Sequence, residues 1–247
     1  MGKKVLLLGE TWTVTKFHTK GFDVVPLGGF EDFSVYFKEG MKAYEDIEIT
    51  HLPNHLVLSK FPKSINELSN YDVVIISDCG RNTLTMYPDM FTMPMGPNKV
   101  EMIAEYVRKG GALIMVGGWV DFQGFQGKGN YHGSAIEEVL PVNIMASDDR
   151  VEKTEGANVK VLKSDHPILE GIDTKWPRFL GYQKVEPKEN SEVLATISGD
   201  PFIIVGKSDK GKSMAFMSDL APHWGIDFVK WEYYGKFWYQ AIKWLTE

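Results

Sequence analysis

The 247-residue sequence predicts an α/β protein built on a mostly parallel, doubly wound sheet. Short aliphatic runs, typical of buried parallel strands, alternate with segments of helical periodicity. The first half follows the order strand, helix, strand, helix, strand, and shorter strands come later, around residues 159–163 and 192–217. Nothing rich in Pro, Gly or Ser is long enough to be a linker, so we expect one domain over residues 1–247.

The strands of the predicted sheet are short apolar segments. Residues 4–8 (KVLLL), 72–77 (DVVIIS) and 112–116 (ALIMV) are aliphatic through their middles, which indicates burial on both faces. Residues 47–52 (IEITHL) alternate as a strand should. Later, residues 202–206 and 212–217 flank the turn SDKG, and we expect a hairpin in which Gly211 takes a positive φ.

Three segments have helical character. One is marked by an apolar stripe at steps of three and four, formed by Phe30, Phe33, Phe37, Met41 and Tyr44. The second, residues 97–108, has Pro97 near its start and two glycines after its end, which is correct helix punctuation. The third is aromatic and runs over roughly residues 227–245.

Composition excludes several classes of function. The formal net charge is −6 and no Lys/Arg cluster is present, so we expect no nucleic-acid partner. A single cysteine cannot form an internal disulfide. No apolar run approaches eighteen residues, so we expect no membrane partner and a cytoplasmic protein.

Four loops follow predicted strands, where an open α/β sheet binds its ligands. These loops span residues 9–12, 77–80, 117–119 and 218–224, and together they predict a cleft for a small polar molecule against aromatic walls. The candidate ligand-binding residues are Glu10, Trp12, Asp78, Gly118, Trp119, His132, Asp219 and Trp224.

Cys79 and His223 are the catalytic candidates. A helix N-terminus or an imidazolium could make Cys79 a thiolate nucleophile, but the residue could equally be a small apolar side chain packed at a strand end. His223 could serve as a general base or a ligand anchor, or could pack against Trp224. His132 could reach the same cleft or lie in a solvated loop.

Metal and cofactor signals are weak. His51 and His55 are four residues apart, but Pro53 between them prevents a helical pairing, and no HExxH motif is present. The glycines of GFQGKGN match neither standard phosphate-loop spacing. We therefore expect no metal and no cofactor.

Several longer stretches are specific enough to suggest a family. They are KVLLLGETW, DVVIISDCGRNT, GGALIMVGGWVDFQGFQGKGNYHGSAIEEVLPV, SDHPILEGI with WPRFLGY, and SDLAPHWGIDF. Over nearly the whole chain they resemble the putative glutamine amidotransferase family, a branch of the class I glutamine amidotransferase-like superfamily. The resemblance implies a flavodoxin-like three-layer sandwich with additional β-hairpin strands in the C-terminal half.

The sequence departs from the catalytic pattern of that superfamily. The resemblance implies a nucleophilic cysteine in a tight turn after the strand at 112–116, where this chain has Gly117, Gly118 and Trp119. His223 matches the region of the partner histidine, but Gly225 stands where the family has glutamate. The standard Cys-His-Glu triad is therefore absent from the expected positions.

Three functions remain open from the sequence. The first is a noncatalytic module that binds a small polar ligand in the strand-end cleft. The second is an active amidotransferase or amide hydrolase that uses Cys79 and His223. The third is a partner-binding protein, because the Met-rich excursion 86–95 could be a contact surface for a homo-oligomer; the resemblance also implies a possible synthase partner.

Overall fold

The computed structural model describes residues 2–87 and 96–247. Most of the Met-rich excursion 86–95 therefore lies outside the described residues. The strands are β1 (Lys3–Gly9), β2 (Thr11–Lys20), β3 (Asp23–Asp32), β4 (Ile47–Leu52), β5 (Val73–Ser77), β6 (Ala112–Val116), β7 (Val142–Ile144), β8 (Arg150–Ala157), β9 (Val159–Val161), β10 (Phe179–Gln183), β11 (Val185–Pro187), β12 (Ser191–Ile197), β13 (Asp200–Ser208) and β14 (Gly211–Phe216). The helices are α1 (Ser34–Met41), α2 (Asn54–Lys60), α3 (Ile65–Leu68), α4 (Arg81–Thr85), α5 (Lys99–Arg108), α6 (Ala135–Val139) and α7 (Tyr234–Leu245).

The central sheet has eight strands in the order β4-β1-β5-β6-β14-β13-β12-β9. The five strands from β4 to β14 are parallel, whereas β13, β12 and β9 each pair with their neighbours in the antiparallel sense. Along the chain the parallel strands have the doubly wound order 2-1-3-4-5, which is the flavodoxin-like order. The predicted fold class is therefore confirmed, including the added hairpin strands.

Burial explains why the parallel strands are continuously apolar. Every residue of β5 and β6 is buried, as are Val5 to Leu8 of β1, so helices cover both faces of this part of the sheet. On one side α1 packs against α7, where the rings of Phe37 and Trp238 lie 6.0 Å apart. The helices α2 to α6 form a second connected group. These two helical groups and the sheet are the three predicted layers.

The C-terminal helix is shorter than the sequence predicts. It begins at Tyr234, because residues 228–230 form a 3-10 turn and Trp231 is extended. Phe228 is nevertheless buried and packs on Phe216 and Trp238, so the aromatic residues before the helix belong to the same core.

The hairpin β13–β14 is confirmed, but the reason given for Gly211 is wrong. Asp209, not Gly211, takes the positive φ of the turn, at 51°. A Cβ at position 211 would lie 2.1 Å from the carbonyl oxygen of Val107. Glycine is therefore needed at this position for close approach to α5 rather than for a left-handed backbone.

The segment after β1 also differs from the prediction. Residues 11–32 form a long hairpin, β2–β3, and Phe30 belongs to its second strand, so the helix that follows contains only residues 34–41. The aromatic spacing that suggested one continuous helix runs across the boundary between β3 and α1. Within residues 2–87 and 96–247, no helix is both long and apolar enough to cross a membrane.

Candidate functional site

A cavity of about 520 Å³ lies at the carboxyl ends of the parallel strands. It adjoins the point where the strand order reverses between β1 and β5, which is where open α/β sheets bind ligands. Residues that follow β1, β5, β6 and β14 all contribute to it. The lining residues are Thr11, Trp12, Val14, Asn54, Asp78, Trp119, Val120, Asp219 and His223.

Glu10 is buried behind this cavity, directly after β1. Ser77 at the end of β5 donates its hydroxyl hydrogen to Glu10 Oε1 at 2.5 Å, whereas Oε2 is buried and has no hydrogen-bond partner among the described residues. Burial, with a contribution from the negative charge of Asp78, raises the pKa of Glu10 to about 8. Glu10 therefore holds a proton at neutral pH.

Asp78 lies on the cavity floor in a constrained loop. Its φ is 45°, in the left-handed region, and its carboxylate accepts the backbone N–H of Val120 at 3.1 Å. Burial raises the pKa of Asp78 to about 6, although hydrogen bonds from Val120 and Trp119 oppose the shift. This carboxyl group is mostly ionised at neutral pH.

Asp121 and Asp219 complete a cluster of four buried carboxyl groups. Asp121 accepts the backbone N–H groups of Asp78 and Cys79, and Asp219 accepts that of Ala221 at 2.9 Å. Burial raises the pKa of both side chains well above the usual range, and neighbouring carboxylates add to the shift. These raised pKa values favour the protonated forms.

The four carboxyl groups of the cluster lie together without a cationic side chain to balance them in the described chain. In the part of the chain that the structure describes, none of the four carboxyl groups forms an ion pair with a lysine, arginine or histidine. Nor do the described residues contain a group of three or more His, Cys, Asp or Glu arranged to hold a metal ion. Protonation is thus the means by which the cluster limits its charge in the absence of a ligand.

Asn54 supplies a polar wall and connects two loops. Its side-chain amide nitrogen donates to the carbonyl oxygens of Thr11 and Asp78, at 2.7 and 2.8 Å. Its Oδ1 atom is buried and has no hydrogen-bond partner among the described residues. Asn54 therefore presents an acceptor that no donor in this part of the chain satisfies.

Aromatic rings form the other walls. Trp12 packs against Phe33 with ring centroids 5.0 Å apart. Trp119 is 50% exposed and stacks on Phe125, and the His223 ring meets Trp119 edge-on at 5.4 Å. These rings give the cavity a largely apolar mouth above an acidic floor.

His223 has a backbone conformation that is rare outside glycine. Its φ is 116°, and its side chain is exposed at the cavity rim. Partial desolvation of the ring by the neighbouring chain lowers the pKa of His223, so the imidazole is neutral at neutral pH. Strain of this kind persists where the surrounding structure fixes it, and it is frequent at functional sites.

Cys79 occupies a packed, acidic environment. The residue is fully buried. Packing around it is tight, since a Cβ added at position 9 would lie 2.9 Å from the Cβ of Cys79. Burial raises the pKa of the thiol well above its usual value, and the negative charges of Asp121 and Asp78 raise it further. These conditions oppose formation of the thiolate that a nucleophile requires.

Gly118 leaves room for the cavity floor. A Cβ at this position would lie 2.6 Å from Asp78 Oδ1. The backbone N–H of Gly118 donates to Gln183 Oε1 at 3.1 Å. The turn after β6 therefore brings backbone rather than a side chain up to the acidic cluster. Gln183 also donates to the carbonyl oxygen of Asp121 at 2.6 Å.

Four of the sequence-derived ligand-binding candidates do not line the cavity, Glu10 and Gly118 among them. The Nδ1 atom of His132 lies 2.8 Å from the carbonyl oxygen of Ile144, so the ring is held by β7. Trp224 is fully buried, and its indole N–H donates to Glu152 at 3.0 Å. His132 and Trp224 therefore lie outside the lining of this cavity, and both rings are held by other contacts.

Sequence reasoning missed Asn54 and Asp121. Asn54 opens α2 immediately after β4 ends, so the strand-end rule applied to that strand would have found it. Asp121 lies two positions beyond Trp119, and only the fold brings it beneath Asp78, 43 residues earlier in the chain. No local motif indicates that contact.

Comparisons with known proteins agree with the fold. A family model described as "Putative glutamine amidotransferase" matches residues 4–247. The solved cytoplasmic protein STM3548 of Salmonella typhimurium is 37% identical, with a TM-score of 0.94 and coverage of 98% of each chain. The cytoplasmic protein STM1381 of Salmonella typhimurium LT2 is also 37% identical, with a TM-score of 0.94 and coverage of 99% of this chain and 100% of that one.

More distant structures share the fold alone. A putative ThuA-like protein of Parabacteroides merdae is 10% identical, with a TM-score of 0.59 and coverage of 100% of this chain and 90% of that one. No curated protein sequence matches this chain significantly.

Proposed function

Since the chain belongs to the putative glutamine amidotransferase family, we propose that it uses the strand-end cavity to bind a small polar ligand, without the Cys-His-Glu chemistry of a glutaminase. The ligand that fits the cavity best carries a protonated amine on a compact apolar body. Both Salmonella relatives are named as cytoplasmic proteins, and we include a cytoplasmic location in this proposal.

The observation that carries the proposal is the surplus of acceptors at the cavity floor. Asp78 and Asp219 line the cavity, and the buried Asn54 Oδ1 has no donor among the described residues. An ammonium group has three hydrogen-bond donors and no acceptor. It can therefore donate to the acceptors of such a site without leaving an unpaired acceptor of its own. Its charge also balances that of the carboxylates.

The walls suit the rest of such a ligand. Trp12 and Trp119 offer indole faces, which attract cations and cover flat apolar groups. Val14 and Val120 add aliphatic surface between them. A ligand of this kind would place its charged end on the carboxylates and its apolar body between the rings.

The alternative is an amide hydrolase that uses Cys79 and His223. That reaction needs an accessible thiolate, whereas burial and two neighbouring carboxylates raise the pKa of the Cys79 thiol. The turn after β6 holds glycine and tryptophan at the position where the superfamily has its nucleophile. Both observations support binding over hydrolysis.

Thermal unfolding with matched pairs of probes tests the proposal. Benzylamine and benzyl alcohol differ mainly in charge, as do cyclohexylamine and cyclohexanol. At about one hundred times its dissociation constant, a bound amine should stabilise the protein by about 2.7 kcal/mol. For a chain of this size, that corresponds to a rise in Tm of roughly 5–10 °C.

A charge-removing variant completes the test. Asp78→Asn keeps the acceptor for the Val120 N–H but loses the negative charge, so it should lose most of the shift produced by the amines. Asp165→Asn, an exposed residue away from the cavity, is the matched control and should respond as the wild type does. Equal shifts for amines and alcohols, or an undiminished amine shift in Asp78→Asn, would refute the proposed ligand class.

A further inference from the structure

Among the described residues, the lining of the strand-end cavity contains two aspartates, Asp78 and Asp219, but no lysine or arginine. The residues outside the described ranges, 1 and 88–95, contain no lysine, arginine or histidine either. The part of a ligand that reaches the floor therefore meets acidic groups and no permanently charged cation. A ligand carboxylate in this cavity would lack the partner that buried carboxylates require.

The N–H groups around the cavity floor are already engaged by the protein. The backbone N–H of Val120 donates to the Asp78 carboxylate at 3.1 Å, and that of Ala221 donates to Asp219 at 2.9 Å. The side-chain amide of Asn54 donates to two carbonyl oxygens. An anionic group could accept hydrogen bonds from these donors only by breaking bonds that the protein makes.

The side-chain donors on the cavity walls are uncharged. Thr11 carries a hydroxyl group, Trp119 an indole N–H and His223 a neutral imidazole. Hydrogen bonds in which neither partner is ionised are about half as strong as those with an ionised donor or acceptor. These walls therefore suit a neutral or cationic ligand, and they offer no positive charge to balance an anion.

Arg150 is the cation that approaches the rim, and its charge is already paired. It is near enough to His223 to help lower the pKa of that imidazole, although desolvation has the larger effect. The guanidinium forms ion pairs with Asp148 at 2.9 Å and with Glu152 at 3.3 Å, and it lies 4.3 Å from the ring centroid of Phe125. Arg150 therefore does not supply an unpaired cation for a ligand carboxylate.

We propose, building on the proposed function, that the cavity accepts amines without a carboxylate and rejects free amino acids. In an α-amino acid the carboxylate is attached to the carbon that bears the amine, so it cannot stay in solvent while the ammonium group lies at the floor. It would join the buried carboxyl groups of Glu10, Asp78, Asp121 and Asp219 as a further acidic group. Juxtaposed like charges oppose binding strongly, so free amino acids, glutamine among them, are poor ligands.

Three ligands that differ in one substituent test this specificity on the full chain. Phenethylamine, L-phenylalaninol and L-phenylalanine share a phenyl ring and an amine that is protonated at pH 7. At the carbon next to the amine they carry a hydrogen atom, a hydroxymethyl group and a carboxylate, respectively. In titration calorimetry, phenethylamine and L-phenylalaninol should bind with dissociation constants within about threefold of each other. The dissociation constant of L-phenylalanine should be at least about tenfold larger.

The series separates charge from bulk, because L-phenylalaninol has nearly the size of L-phenylalanine. Binding of L-phenylalanine within about threefold of L-phenylalaninol would overturn this inference and leave the proposed function intact. Weak binding of both compounds beside tight binding of phenethylamine would also overturn it, since bulk would then exclude them. No binding of phenethylamine would overturn the proposed function and this inference with it.

A lysine on the cavity wall provides a matched pair of variants. Val14→Lys adds a cation at a lining residue, whereas Leu27→Lys adds the same charge on the same face of the hairpin β2–β3, outside the lining. The dissociation constant of L-phenylalanine, divided by that of L-phenylalaninol, should fall at least about threefold in Val14→Lys. In Leu27→Lys this ratio should equal that of the wild type. The same ratio in both variants would contradict the role assigned to the missing cation.

Discussion

Ser77 donates its hydroxyl hydrogen to Glu10 Oε1 at 2.5 Å, while the other oxygen of the same carboxyl group has no partner. Ser77 ends β5 and Glu10 directly follows β1, and these are the neighbouring strands at which the sheet reverses its order. The bond therefore fixes an acidic side chain at the switch point and leaves its second oxygen unpaired within the described chain. A group held in this way makes both stability and binding dependent on its proton.

Glu10 should make the free energy of unfolding fall as pH rises. Its pKa is about 8 in the folded protein and about 4.5 when unfolded, so between these values the folded state binds the extra proton. Stability is then fully present below about pH 4.5 and is lost as pH approaches 8. Glu10→Gln should reduce this decline by up to about 1.4 kcal/mol per pH unit.

Urea unfolding at intervals from pH 5 to 8 measures that slope. Glu170→Gln, an exposed substitution of the same chemistry, is the control and should keep the slope of the wild type. Asp78, with a pKa of about 6, contributes in the same direction up to pH 6, so some slope should remain in Glu10→Gln. Parallel profiles for the wild type and Glu10→Gln would show that Glu10 titrates normally.

Cys79 should react with thiol reagents only when the protein unfolds. The side chain is buried, and burial and the charges of Asp121 and Asp78 raise the thiol pKa. Labelling by iodoacetamide at pH 8 should therefore be slow in the native protein and fast in denaturant. Exposed-thiol rates in the native state would restore the nucleophile interpretation, and a glutaminase assay of Cys79→Ser should then show lost turnover.

Backbone strain at His223, on the cavity rim, should lower the stability of the folded protein. With φ at 116°, any side chain strains the backbone, whereas glycine does not. His223→Gly should be more stable than His223→Ala by about 1 kcal/mol, since both lose the ring and only the alanine keeps a Cβ. Thermal unfolding compares the two variants directly, and an alanine variant at least as stable as the glycine variant would argue against strain.

Much of the fold follows from the sequence because buried parallel strands leave a strong pattern. The runs at residues 72–77 and 112–116, and the punctuated helix before the latter, match β5, β6 and α5 within about two residues. The sequence did not predict the hairpin β2–β3, because Phe30 is apolar yet exposed and its spacing with Phe33 and Phe37 resembles a helix face. Periodicity detects a buried face, so an exposed apolar side chain at helical spacing from buried ones leads to a wrong prediction.

The candidate site follows from the sequence only in part. The strand-end rule identified Trp12, Asp78, Trp119, Asp219 and His223, which line one cavity, because parallel strands bring their carboxyl ends to one edge. The burial of Glu10 and Cys79, and the contact of Asp121 with Asp78, depend on long-range packing. Those features decide the protonation of the cluster, and no local pattern encodes them.

Titration calorimetry of benzylamine in two buffers of different ionisation enthalpy, at pH 7, tests the central claim most directly. An ammonium bound at the floor should lower the pKa of Glu10 from about 8 and release a fraction of a proton, up to about one, into the buffer. The observed enthalpy should therefore depend on the buffer for the wild type and less for Glu10→Gln, in which Asp219 and Asp121 can still release protons. A binding enthalpy that is the same in both buffers, or no binding at all, would contradict the account.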